Sequence, residues 1–169
     1  MNLIRLIDEN AFVFAILVIY FPIHLFEEAI GNFPKWMHLH KWVNEEISYG
    51  HWMANNVFFY YSLLLLVYII YCFTHAIFLA YGIILWGIIN MLDHMIYSIS
   101  DQKKSPGIFS GFLYGIVSTA FIIKEINLNR FNIVSAFLGL LVAIILAGLP
   151  ILLAMGFHKR FKMIFGGKI

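Results

Sequence analysis

The stretch HWMANNVFFYYSLLLLVYIIYCF, residues 51–73, is followed after one threonine by HAIFLAYGIILWGIINMLDHMIYSI, residues 75–99. Each run is apolar over more than the roughly 20 residues that a helix needs to cross a bilayer. Lipid offers the backbone no hydrogen-bond partners, so a run of this kind closes its own bonds as a helix. The runs are continuously apolar instead of alternating, and they are too long for barrel strands. The connection at Cys72–His75 is so short that the two helices form an antiparallel hairpin.

Three further apolar segments flank this pair: Ala11–Ala29 before it, and Ile108–Ile123 and Ile133–Phe157 after it. The expected fold is all-α, a polytopic transmembrane bundle of about five spans, with residues 1–169 forming a single integral membrane domain. Composition agrees. Hydrophobic residues make up 62% of the 169 and charged residues 12%, about half the roughly 25% charge of a soluble domain. A soluble protein of this size has too little interior to hide that much apolar surface. One cysteine, Cys72, excludes an intrachain disulfide and a multi-cysteine metal cluster. The first apolar run follows Asp8 and Glu9 and precedes further spans, which does not fit a cleavable signal peptide.

Between the first two spans, Trp36, Leu39, Val43 and Ile47 recur at spacings of three and four, with Lys35, Lys41, Glu45 and Glu46 between them. This predicts a short amphipathic helix lying in the membrane interface. Ser100–Gly107 (SDQKKSPG) reads as a turn-rich loop with Pro106 opening the fourth helix. Gly82 and Gly87 read as close-packing positions. On the connections, Lys35, Lys41, Lys103, Lys104, Lys159, Arg160, Lys162 and Lys168 share one side, against Arg5, Lys124 and Arg130 on the other. This bias predicts an extracytoplasmic N-terminus and a cytoplasmic C-terminus. The basic residues are scattered among loops and tail, so nucleic acid is not an expected partner; membrane lipids are.

Several polar residues stand where they are expensive. Span one ends His24-Leu25-Phe26-Glu27-Glu28, placing two carboxylates either side of the imidazole's direction on the helix. Span three ends with Asn90 and His94 one turn apart, with Asp93 beside them, and span two begins with His51 and Asn55 one turn apart, then Asn56. These three helix ends must lie at the same membrane face, which the basic-residue count makes cytoplasmic. Acids at the membrane centre cost about 2.5–3.5 kcal/mol each on insertion scales, and the spans hold no Lys or Arg to pair with Glu27, Glu28 or Asp93. Adjacent carboxylates repel, so one holds a proton or both share a cation. Two histidines with carboxylates suit zinc, iron or manganese. The alternative is that these groups sit near enough to the headgroups to be hydrated. His38 and His40 read as surface residues. His75 falls at the opposite face and His158 in the basic tail.

In this order, His24-x-x-Glu27-Glu28, Asn90-x-x-x-His94 and Pro106-Gly107 make the chain resemble the HXXEE-motif family of small, mostly uncharacterised integral membrane proteins. The resemblance implies a metal-dependent enzyme but carries no particular reaction. The leading expectation is a membrane-embedded metal-dependent hydrolase acting on a lipophilic small molecule or peptide from the cytoplasmic leaflet. One divalent transition metal, zinc foremost, would be held by His24, Glu28 and His94, with coordination left open for water. Glu27 and Glu28 are the candidate catalytic carboxylates. The four-residue spacing from His24 favours Glu28 as ligand and leaves Glu27 as base. Asn90, Asp93, His51, Asn55 and Asn56 are candidate substrate or supporting groups. A rival from another class is a small proton or ion carrier, or a binding protein, using the same cluster. A structural partner of another membrane protein would leave the clustered acids unexplained.

Overall fold

The computed structural model describes residues 11–40 and 47–165, which contain helices and connections and no strand. The helices are α1 (Ala11–Ile30), α2 (Phe33–Leu39), α3 (Tyr49–Ala54), α4 (Tyr61–Thr74), α5 (Ile77–Ser100), α6 (Ile108–Asn127) and α7 (Ile133–Phe165). A π-helical segment, Asn55–Tyr60, joins α3 to α4 without a break. The hairpin expected at Cys72–His75 turns on His75, whose φ of 51° ends α4 in the left-handed conformation.

By length and hydropathy, Tyr49–Thr74, α5 and α6 are each able to cross a membrane, and a fourth span results if Ile16–Ile30 and Phe33–Leu39 act together. That pair is bent by 70° at Gly31–Asn32, where Asn32 adopts a left-handed φ of 54°. Against the five spans expected from the sequence, these criteria give three or four among the described residues. Many large apolar side chains point outward, among them Ile19, Phe26, Phe58 and Phe73. A bundle surface of this kind suits lipid and not water.

The segment expected as an amphipathic helix over 36–47 differs from its pattern. α2 begins earlier, at Phe33 with Pro34 in its first turn, and it buries Pro34 and Met37 while Leu39 stays exposed. Lys41, Val43, Glu45 and Glu46 lie outside the described residues, and Ile47 is buried beyond them in non-helical backbone. Pro34 accounts for the earlier start, since its ring suits a first helical turn, and Trp36 still packs against the core.

α5 is the central helix, with Ala80, Tyr81, Ile83, Ile84 and Trp86 all buried. It packs against α7, α6, α1 and α4. A side-chain carbon built at Gly139 of α7 would lie 3.0 Å from the backbone nitrogen of Gly82, so the two helices meet there nearly backbone to backbone. Further along, Ala147 and Ile151 of α7 border the same cavity as Ile89 and His94 of α5. Residue numbers rise together on both helices, so α5 and α7 run parallel.

Candidate metal centre

His24 and Glu28 stand one turn apart on α1, and α5 brings His94 to them from about 70 residues away in sequence. Glu28 Oε1 lies 3.3 Å from His24 Nε2 and 3.9 Å from His94 Nε2. One donor atom from each of the three residues falls within 4.8 Å of the others, and all three residues are buried. Donors about 2.0–2.2 Å from a tetrahedral zinc stand roughly 3.3–3.5 Å apart. The His24–Glu28 pair already meets that spacing, the Glu28–His94 pair needs to close by about half an ångström, and the two imidazoles by up to about 1.5 Å.

The opposite edges of both imidazoles are held by serine hydroxyls. His24 Nδ1 lies 2.8 Å from Ser110 Oγ, and His94 Nδ1 lies 3.1 Å from Ser105 Oγ. Ser105 is itself fixed by Ser98, whose Oγ accepts its backbone N–H at 2.9 Å. Metal-bound histidines characteristically have the second ring nitrogen occupied in this way. Gly107, with φ +89°, passes over both rings. A side-chain carbon there would lie 2.6 Å from His24 Cε1 and 2.8 Å from His94 Cε1, so only glycine fits.

Glu27, expected as the base, is not among the residues lining the cavity beside His24 and His94 and faces the start of α6. Its Oε1 accepts the backbone N–H of Phe109 at 2.9 Å, and its Oε2 accepts that of Ser110 at 2.8 Å and the Ser110 hydroxyl at 2.5 Å. The N-terminal amides of α6 have no partner within their own helix, and a carboxylate is the natural group to satisfy them. One residue of helical rotation turns Glu27 to α6 while Glu28 faces the histidines.

A cavity of about 160 Å³ adjoins Glu28 and the two histidines. Asn90 and Asp93 of α5 line it, as do Asn55 and Asn56 of the π-helical segment. Asn90 Nδ2 reaches Tyr20 Oη at 2.8 Å and His24 Nε2 at 3.3 Å, and Asn56 Nδ2 donates to the Trp52 carbonyl at 2.9 Å. Phe33, Trp52, Tyr60 and Trp86 supply apolar walls. His51 is not among the lining residues; its backbone N–H caps α3 by donating to Ser48 Oγ. His40, read as a surface residue, is partly covered and pairs with Asp101 at 2.8 Å, tying the end of α2 to the end of α5. His75 sits 19 residues before His94 along the α5 hairpin, which is more than 25 Å of helix.

Ser98, Ser105, Ser110 and Tyr20 were not anticipated from the sequence. Serines are too common in membrane helices to stand out, and the one usable signal was that Ser105 and Ser110 closely bracket Pro106-Gly107.

Residues 15–122 match the family model described as a protein of unknown function with HXXEE motif. No curated protein and no solved structure matches the chain.

Proposed function

The chain belongs to that family of HXXEE-motif proteins, and we propose that it is a membrane-embedded, metal-dependent hydrolase that takes one divalent transition metal, zinc foremost, at His24, Glu28 and His94. The observation that carries this reading is the buried group of three donors drawn from two helices, with both Nδ1 edges already engaged by serines. Three protein ligands and an adjoining cavity are the pattern of a catalytic site, whereas structural zinc sites fill all four positions with protein. When bound, zinc supplies Lewis-acid activation of water and of a substrate carbonyl.

The chain's own groups complete the proposal. Asp93 lines the cavity beside His94 and is the carboxylate placed to accept a proton from water there. Asn55, Asn56 and Asn90 offer amides that orient a polar substrate group. The cavity of about 160 Å³ is close to an engineered 150 Å³ cavity that accepts a benzene ring. It therefore receives the reacting end of a lipophilic molecule, while the apolar remainder stays in the bilayer.

We also read α1 and α7 as crossing helices, giving five spans with α2 at the interface. The parallel course of α7 beside α5 supports this: it runs from Gly139, near the start of α5, to Ile151 at the cavity. Five crossings and the basic-residue bias put the cavity on the cytoplasmic side.

Metal analysis of the purified protein tests the centre. About one zinc per chain, lost in His24→Ala and His94→Ala, is the expected result. Repeated metal-replete preparations without bound metal would overturn it and leave the carrier reading. Hydrolysis of long-chain p-nitrophenyl esters tests the chemistry, with Asp93→Asn keeping its metal and losing turnover.

A further inference from the structure

The first glutamate of the motif lies outside the cavity, yet it is connected to the centre through one hydroxyl. Ser110 Oγ has three neighbours that matter: Glu27 Oε2 at 2.5 Å, His24 Nδ1 at 2.8 Å, and the Gly107 carbonyl at 3.4 Å. A serine hydroxyl carries one hydrogen and two lone pairs. Glu27 accepts three hydrogen bonds shared over both its oxygens and has none to give in that arrangement. The Ser110 hydrogen therefore goes to Glu27, the shortest and charge-assisted of its contacts. What remains for His24 is a lone pair of Ser110 Oγ, and Nδ1 must be the nitrogen that carries a proton.

We propose that Glu27 and Ser110 are positioning residues that hold His24 with its proton on Nδ1, so that the lone pair of Nε2 faces the metal position it would share with Glu28 and His94. Glu27 touches neither the metal position nor the cavity; it acts by occupying the Ser110 hydrogen. The two adjacent glutamates then divide the work. Glu28 is a ligand, and Glu27 uses the start of α6 to set which ring nitrogen of His24 binds. This deepens the metal-centre reading and rests on it for metal affinity alone, since the position of the proton is a property of the metal-free protein as well.

Removing the charge from Glu27 should reverse the arrangement. In Glu27→Gln the side-chain amide can donate to Ser110 Oγ, and the Ser110 hydrogen is then free to turn to His24 Nδ1. His24 responds by carrying its proton on Nε2, the nitrogen the metal needs. Partners of this kind typically change metal affinity 10- to 100-fold.

The experiment is 15N NMR of selectively histidine-labelled full-length protein in detergent micelles, metal-free and zinc-loaded, with zinc affinity measured by competition against a chromogenic chelator. His24 should show a protonated Nδ1 in both wild-type states. Glu27→Gln and Ser110→Ala should move a substantial share of the metal-free His24 signal to the Nε2-protonated form and weaken zinc at least tenfold. In the metal-free protein the His94 signal, assigned through His94→Gln, should hold its position across the variants as the internal reference, and Ser110→Thr should restore both His24 form and affinity. A bare Nδ1 on His24 in the metal-free wild type overturns the proposal without any variant having to fold. Variants that leave both tautomer and affinity unchanged overturn it equally. Should zinc fail to bind while Nδ1 stays protonated, the metal reading falls and the positioning role stands.

Discussion

Replacing Gly107 by alanine adds a single carbon at the point where α6 begins, and its effect can be worked from the structure. Gly107 has φ +89°, a region that costs an L-residue about 1–2 kcal/mol. The new carbon would lie 2.6 Å from His24 Cε1 and 2.8 Å from His94 Cε1, against about 3.5–4.0 Å for carbon atoms at rest. Both imidazoles are buried and held at Nδ1, so they cannot simply swing away. Overpacking of this kind costs roughly 1–3 kcal/mol, and the stiffer unfolded chain returns about 0.4–1 kcal/mol. The net expectation is a loss of about 1–4.5 kcal/mol, centred near 3 kcal/mol or roughly 6–12 °C in Tm for a chain of this size. Metal content should fall with it, because relief comes from spreading the two histidines proposed as ligands. Thermal unfolding in micelles and metal analysis are the assays. Gly50→Ala is the control, since a carbon there meets nothing within 4 Å inside α3, and it should stabilise by up to about 1 kcal/mol. A Gly107→Ala protein with wild-type stability and a full complement of metal would refute the reasoning.

Three other expectations follow from named contacts. Zinc at 100 times its Kd should raise stability by about 2.7 kcal/mol, chelation should reverse the gain, and Glu28→Gln should abolish it; an equal zinc response in Glu28→Gln would remove this residue from the ligand set. At the far end of the bundle, buried Glu125 pairs with Arg130 at 3.0 Å, so Arg130→Ala should cost about 1–2 kcal/mol through a carboxylate deprived of its charged partner, read as a lower unfolding midpoint in SDS titrations. For topology, single cysteines placed at Lys104 and Asn129 in a Cys72→Ser background should label from opposite sides of the membrane, Lys104 from the cytoplasm; labelling from one side would break the orientation.

How much of the site the sequence disclosed depended on local spacing. His24 and Glu28 are one turn apart on a single helix, and so are Asn90 and His94, so their shared faces were legible from residue numbers alone. That the ends of the first and third spans meet was legible from connectivity. The roles of Glu27 and Glu28 were harder to separate. Helical spacing put Glu28 only somewhat closer than Glu27 to the azimuth of His24, and the neighbour each one meets separates them clearly: α6 amides for Glu27, imidazoles for Glu28. His51 shows the opposite failure. Its one-turn spacing from Asn55 suggested a shared site, and the turn between them is regular, yet only Asn55 lines the cavity.

The sequence by itself determined the helical class, the hairpin of the second and third apolar runs, and which polar side chains had to be explained. These follow from one-dimensional facts: run length, charge placement and helical period, each acting over a turn or two of one helix. The tertiary structure alone decided that α6 closes the centre. Ser110 holds His24 across 86 residues, Ser105 holds His94 from the loop, and Gly107 leaves room for both rings. No periodicity encodes those relations, because they depend on how α1, α5 and α6 are placed and rotated against one another. That placement is set by the packing of whole faces, where a backbone close approach such as Gly82 on Gly139 matters as much as any polar residue.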